Sequence, residues 1–179
     1  QKDFETLIRA FVTARAAEPS LGKLVIVGGD DGSGYLEHLQ AIADEHVVFT
    51  GRLPREELGD LYAHCRLYVN SSRHEGLSNA ILEAVSHGCP IVVSDIVENR
   101  DLPLAPRHFF AAGDAAALGR KLCEAGRGDV DLTIDPGVFA TWPQVVAATR
   151  QLYDTLLATP RRDRTPLPDA VSNAFGSSN

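Results

Sequence analysis

Short apolar runs separated by stretches of helical pattern restrict this chain to one class of fold. The runs are Leu24-Val25-Ile26-Val27, Val47-Val48-Phe49, Leu67-Tyr68-Val69 and Ile91-Val92-Val93. Helical patterns lie over 3–17 and 35–43, from Pro54 with Glu56 and Glu57 in its first turn, and from Ser78. Such alternation means a parallel sheet. The expected fold is α/β, a Rossmann-like doubly wound parallel sheet. A further strand is expected over 108–111, then a helix capped by Asp114 and running to 124, a loop over 126–140 and a helix over 142–157. The opening helix has no strand before it, so the first strand of the sheet is expected to be missing. One domain is expected over 1–159. From Pro160 onward Pro, Ser, Asp and Asn dominate without apolar periodicity, and 160–179 reads as a disordered tail.

One segment carries the chemistry. His74-Glu75-Gly76-Leu77-Ser78-Asn79-Ala80-Ile81-Leu82-Glu83-Ala84 precedes Gly88-Cys89-Pro90 and the strand that begins at Ile91. Ser78 is a good N-cap residue, Ala80 to Ala84 favours helix, and Gly88 with Pro90 stops it. A helix starting there aims its free amides and positive dipole end at Gly76, where the absence of a side chain lets a ligand approach the backbone. This is a candidate phosphate seat. Glu75 stands at its mouth, while Glu83, more than a turn into the helix, reaches the far side of a bound phosphate. A carboxylate has two acceptor oxygens and matches a pair of neighbouring hydroxyls, as on a ribose or a hexose. The implied ligand has sugar, diphosphate and ribose in line.

The spacing of Glu75 and Glu83 resembles the E-x7-E signature of the retaining glycosyltransferases of group 1, which have two facing Rossmann-like domains, the GT-B fold. The resemblance runs from Lys2 to about Leu157 and includes Leu24-Val25-Ile26-Val27-Gly28-Gly29, Val48-Phe49-Thr50-Gly51-Arg52-Leu53, Glu57-Leu58, Leu61-Tyr62 and Leu67-Tyr68-Val69 in the family's order. It implies the C-terminal, donor-binding half of a hexosyltransferase of polysaccharide or glycoconjugate synthesis. The resemblance makes Glu75 the catalytic-site carboxylate that holds the donor sugar's hydroxyls, Glu83 the ribose ligand, and Gly76, Leu77 and Ser78 the diphosphate seat. Lys2 sits where the family has a lysine on the diphosphate, although its arginine partner is absent. Gly51 and Arg52 match the loop against which the base lies, and Gly29 lines the donor site. Many relatives have Glu-Gly-Phe-Gly where this chain has Glu75-Gly76-Leu77-Ser78. The family attacks from the leaving-group face with no settled protein nucleophile, which makes Glu75 a positioner; growing charge on the diphosphate is met by helix amides and Lys2. No metal or other cofactor is expected. The expected partners are a nucleotide sugar and an N-terminal acceptor-binding domain of the same protein, and the isolated chain should bind without transferring.

At 179 residues the chain is long enough for one domain with a sizeable core. A net charge of −7 and a pI near 5.3 disfavour a nucleic-acid partner. Cys65, Cys89 and Cys123 lack metal or redox spacing and read as reduced thiols; with no signal peptide or long apolar span, a cytoplasmic protein is expected. Membrane contact at the inner face is expected only through parts outside this chain. The absence of Met reads as a fragment of a longer protein.

Other readings stay open from the residues alone. Glu83 could face His87 at i, i+4 on an exposed helix, and Glu75 could pair with Arg73 in a surface loop. Gly28 to Gly34 is equally a flexible turn or donor-site lining, Lys2 could be a solvated side chain, and Glu98 to Asp101 could be a ligand edge or a solvated helix start. His64, His74 and His87 have no metal-ligand spacing. A phosphorylase or epimerase of the same fold would not be expected to carry Glu75 and Glu83 in this context. A non-catalytic nucleotide-binding or protein-interaction module is the alternative from another class.

Overall fold

A computed structural model describes residues 1–158. Strand β1 (Leu24–Val27) pairs in parallel with β2 (Val47–Gly51), and β4 (Ile91–Ser94) pairs in parallel with β3 (Tyr68–Asn70) and β5 (Phe109–Phe110). The strands thus form two ladders, β2-β1 and β3-β4-β5. The doubly wound order 3-2-1-4-5-6 has one strand between these ladders, and in chain order it precedes all the others. The break in the sheet falls where the expected missing strand would lie.

Successive side chains on a strand point to opposite faces, and β4 divides accordingly between two cores. Val92 packs with Leu7 and Phe11 of α1 (Phe4–Ala17), Leu118 and Leu122 of α6 (Ala115–Arg127), Ile26 of β1 and Leu39 of α2 (Tyr35–Ile42). Ile91 and Val93 pack with Tyr62 of α3 (Arg55–His64) and Ile81, Ala84 and Val85 of α4 (Asn79–Ser86). Helices therefore cover the sheet on both faces, which is why its strands read as unbroken apolar runs.

The caps fall where side-chain chemistry puts them. Asp3 accepts from Thr6 N at the start of α1, and Asp114 accepts from Ala117 N at the start of α6. Asp3 holds a left-handed φ of 44°, a region that Asp enters more readily than most residues. Pro54 is the N-cap of α3 rather than its first residue. The expected loop after 126 begins two residues later at Gly128, a left-handed C-cap, and includes a 3-10 turn at Pro136–Val138. The segment around Glu98 is a short helix, α5 (Val97–Arg100).

One expectation is corrected. Cys65 and Cys89 are joined as a disulfide with their Cα atoms 6.4 Å apart, and Cys123 is the free thiol. Their separation of 24 residues matches no redox motif; packing of α3 beside α4 and β4 brings them together. A second compact unit begins at Ala140, and its described element is α7 (Trp142–Ala158). The expected tail lies outside the described residues. No described helix is long and apolar enough to cross a membrane.

Candidate functional site

The C-terminal ends of β3 and β4, the start of α4 and the first three residues of the chain meet around Glu75. The Glu75 side chain is 6% exposed, and one oxygen, Oε1, accepts from Lys2 Nζ at 2.6 Å, Ser72 Oγ at 2.6 Å and Asn70 Nδ2 at 3.1 Å. Burial by itself would raise its pKa. The bonds from Lys2, Ser72 and Asn70, with the charge of Lys2, outweigh that and hold it below the ordinary carboxylate value. Oε2 has no hydrogen bond among the described residues and is not sealed from solvent. An ionised carboxylate with one saturated oxygen and one open oxygen is suited to accept from ligand hydroxyls.

Lys2 is not a frayed end. Its carbonyl accepts from Ser71 Oγ at 2.8 Å, and the Gln1 carbonyl accepts from Arg73 N at 2.9 Å. Arg73 pairs with Asp3 at 2.8 Å, not with Glu75, and its guanidinium lies over Gly113. His74 pairs with Glu98 at 2.5 Å, tying the Glu75 loop to α5.

Gly76 and Ser78 form an open seat at the start of α4. An added Cβ on Gly76 would meet nothing within 4 Å, and its φ is not left-handed. Neither backbone strain nor packing demands glycine there, so what the residue provides is access to the backbone. Ser78 is the N-cap, but its hydroxyl accepts from Asn70 Nδ2 at 3.4 Å and makes no capping bond. The amides of the first helical turn are thus left uncapped by it. Leu77 between them is 69% exposed.

Glu83 lies half-buried in the second turn of α4. His87 bonds the Glu83 carbonyl at 2.8 Å through Nδ1, so the i, i+4 contact is to the backbone and not to the carboxylate. Tyr62 stands beside Glu83: burial, then the charge of Glu83, pushes its pKa up to about 12. Tyr68 is raised by burial first and also by both Glu75 and Glu83.

Gly29, Gly51 and Arg52 gather at the C-terminal ends of β1 and β2. Gly28 N donates to Gly51 O at 3.0 Å, and the Arg52 side chain crosses Gly29 so closely that an added Cβ would fall 2.5 Å from its Nε. The rest of the Gly28 to Gly34 segment closes on itself: Asp30 accepts from Gly32 N and Asp31 from Ser33 N, each at 3.0 Å. Gly29, Gly51 and Arg52 thus lie at the strand ends of one ladder and Glu75 beside those of the other, the edge where doubly wound sheets bind ligands, with Glu83 a turn into α4 and Lys2 ahead of α1.

Residues 1–126 match the family model described as glycosyl transferases group 1. The chain belongs to this family. It is 38% identical over 98 residues to an uncharacterized glycosyltransferase of Methanocaldococcus jannaschii, covering 54% of this chain and 25% of that protein. It is 39% identical over 104 residues to the GDP-mannose-dependent alpha-(1-6)-phosphatidylinositol monomannoside mannosyltransferase of Mycolicibacterium smegmatis, covering 51% and 26%. The chain therefore matches about a quarter of the length of these relatives. Among solved structures, sucrose-phosphate synthase from Thermosynechococcus elongatus aligns with a TM-score of 0.63 at 23% identity, over 88% of this chain and 44% of that one. The catalytic domain of cholesterol-alpha-glucosyltransferase from Helicobacter pylori aligns with a TM-score of 0.58 at 22% identity, over 72% and 80%. These likenesses show the fold, a Rossmann-like half of the GT-B type.

In this group 1 glycosyltransferase chain the residues that sequence reasoning missed are the polar ones behind Glu75. Asn70 ends β3, Ser94 ends β4, Ser72 lies between Asn70 and Glu75, and Asn99 lies in α5; all are buried. The available signal was a polar residue directly after an apolar run: Asn70 follows Val69 and Ser94 follows Val93.

Proposed function

We propose that the chain is the C-terminal, donor-binding domain of a retaining glycosyltransferase that moves a hexose from a nucleotide diphosphate sugar to an acceptor. The observation that carries this reading is the unobstructed Gly76 beside an uncapped helix start, placed between Glu75 and Glu83. The diphosphate lies on the amides of Gly76 to Ser78, the ribose diol on Glu83, and the sugar hydroxyls on Oε2 of Glu75. Lys2, with its side chain 45% exposed, has three N–H donors, so one can serve Glu75 while another reaches the diphosphate. Arg52 closes the base pocket over Gly29.

In the transfer the anomeric carbon–oxygen bond to the diphosphate breaks, and the acceptor oxygen bonds to that carbon on the same face. The acceptor's proton passes to the departing phosphate oxygen. The protein neutralises the charge growing on the leaving group through helix amides and Lys2, and Glu75 orients the sugar. The chain alone binds donor without transferring it; the acceptor is held by an N-terminal domain. Because two similar mannosyltransferases are GDP-mannose-dependent by name, GDP-mannose is the first donor to try.

Calorimetric titration with UDP, GDP, ADP and their sugar conjugates tests the reading, repeated on Glu83→Ala. Saturable binding of one nucleotide, weakened about tenfold or more by the substitution, is expected from loss of charge-assisted bonds of about 1.5–3 kcal/mol. Binding that Glu83→Ala leaves intact would overturn the assignment of the ribose.

A further inference from the structure

We propose that Asn70, held in place by Asn99, is the positioning residue for Glu75 and fixes which carboxylate oxygen is turned toward the donor sugar. The inference rests on the donor-site reading above. Asn70 is too buried, at 4% exposure, to act other than through its neighbours. Its Nδ2 donates to Glu75 Oε1 and to Ser78 Oγ, and its Oδ1 accepts from Ser72 N at 3.3 Å and Asn99 Nδ2 at 3.5 Å. The amide cannot be turned round: a flip would aim Oδ1 at the carboxylate and NH2 at the Ser72 and Asn99 donors.

Asn99 is 1% exposed and anchors this orientation. Its Nδ2 also donates to Ser94 O at 3.0 Å and Ser94 Oγ at 3.3 Å, and Ser94 Oγ donates to Ser72 O at 2.5 Å. Buried polar groups so linked stand or fall together, since each left unpaired bears the full cost of its desolvation. The ends of β3 and β4, α5 and the Glu75 loop are thereby held as one unit, with Oε1 occupied and Oε2 without a hydrogen bond among the described residues. The network also takes the Ser78 hydroxyl away from capping, so the same amide that orients the carboxylate leaves the phosphate seat open.

Asn70→Asp is nearly isosteric and puts an acceptor where NH2 faces Oε1. Lys2 on the N-terminal segment and Tyr68 on β3 are the other titratable groups facing Glu75, and neither changes. The readout is the pH titration of the Glu75 carboxyl carbon by NMR in unliganded protein, assigned with Glu75→Gln. Asn70→Asp is expected to move the midpoint up by about one pH unit or more, as for two carboxylates sharing a site. Asn99→Ala, which removes one of the two donors that hold the Asn70 amide oxygen, is expected to move it in the same direction by less, and it carries the test if the first variant does not fold. Both variants should lose about tenfold in affinity for GDP-mannose, or whichever conjugate binds, while keeping affinity for the free nucleotide. An unmoved Glu75 midpoint in natively folded variants would overturn the proposal. Because the NMR titration needs no ligand, absence of nucleotide binding by the unsubstituted protein would defeat the donor reading alone, and the midpoint would still decide whether Asn70 positions Glu75.

Discussion

A carboxylate as buried as that of Glu75 stays ionised because three donors converge on a single oxygen. In the proposed reading that asymmetry leaves Oε2 for the donor's hydroxyls and divides the labour between the two glutamates. Glu75→Ala is expected to spare binding of free nucleotide and weaken the nucleotide sugar, and calorimetry of the pair of ligands checks it; equal losses for both would contradict the division. Gly76 offers a sharper test, because nothing in the fold needs a glycine there. Gly76→Ala should leave the thermal midpoint unchanged while weakening nucleotide binding at least tenfold, about 1.4 kcal/mol. A stable variant with native affinity would move the phosphate elsewhere.

Among the elements, α4 does two things at once. Ile81, Ala84 and Val85 anchor it in the core against Ile91 and Val93, and this fixed underside sets where its first turn and Glu83 point. The neighbouring α3 is fastened to the same region through Cys65 and Cys89. A titration of free thiols in unreduced protein should find one, Cys123, and three after reduction and unfolding. Closing a loop of this length restricts the unfolded chain by about 3 kcal/mol, so reductant should lower the urea midpoint while Cys65→Ser protein shows no further response to it.

For the whole molecule, pH acts through a residue far from the proposed ligand. His108 is buried, with Nδ1 on Ile91 O of β4 at 3.0 Å, and burial holds its pKa below the ordinary histidine value of 6.5. Arg107 and Lys121 lower it further, whereas the Ile91 bond and Asp131 raise it. A base whose folded pKa is depressed binds its proton more readily when unfolded. Its contribution is therefore fully present above pH 6.5 and is lost as pH falls below that value toward the folded pKa. The thermal midpoint should drop between pH 7 and pH 5.5, and His108→Gln, measured over the same range, should flatten part of that drop.

Much of this protein is local enough to be read from its residues. The strand Leu24–Val27, the caps Asp3 and Asp114, and the helix start after Ser78 follow from side-chain shape and short-range hydrogen bonding, and so does the spacing that sets Glu75 before a helix and Glu83 within it. Pairing across the chain is another matter. That Lys2 meets Glu75 across 73 residues, that Asn99 meets Asn70 across 29, and that Cys65 meets Cys89 depends on which strand lies beside which. Parallel pairing of β3 with β4 sets Asn70 within reach of Asn99, and the bonds of residues 1 and 2 to Arg73 and Ser71 bring Lys2 to Glu75. The sequence determined the elements and the chemistry they carry; the tertiary structure decided which oxygen of Glu75 the described residues occupy, because burial and hydrogen bonding are properties of the assembled sheet.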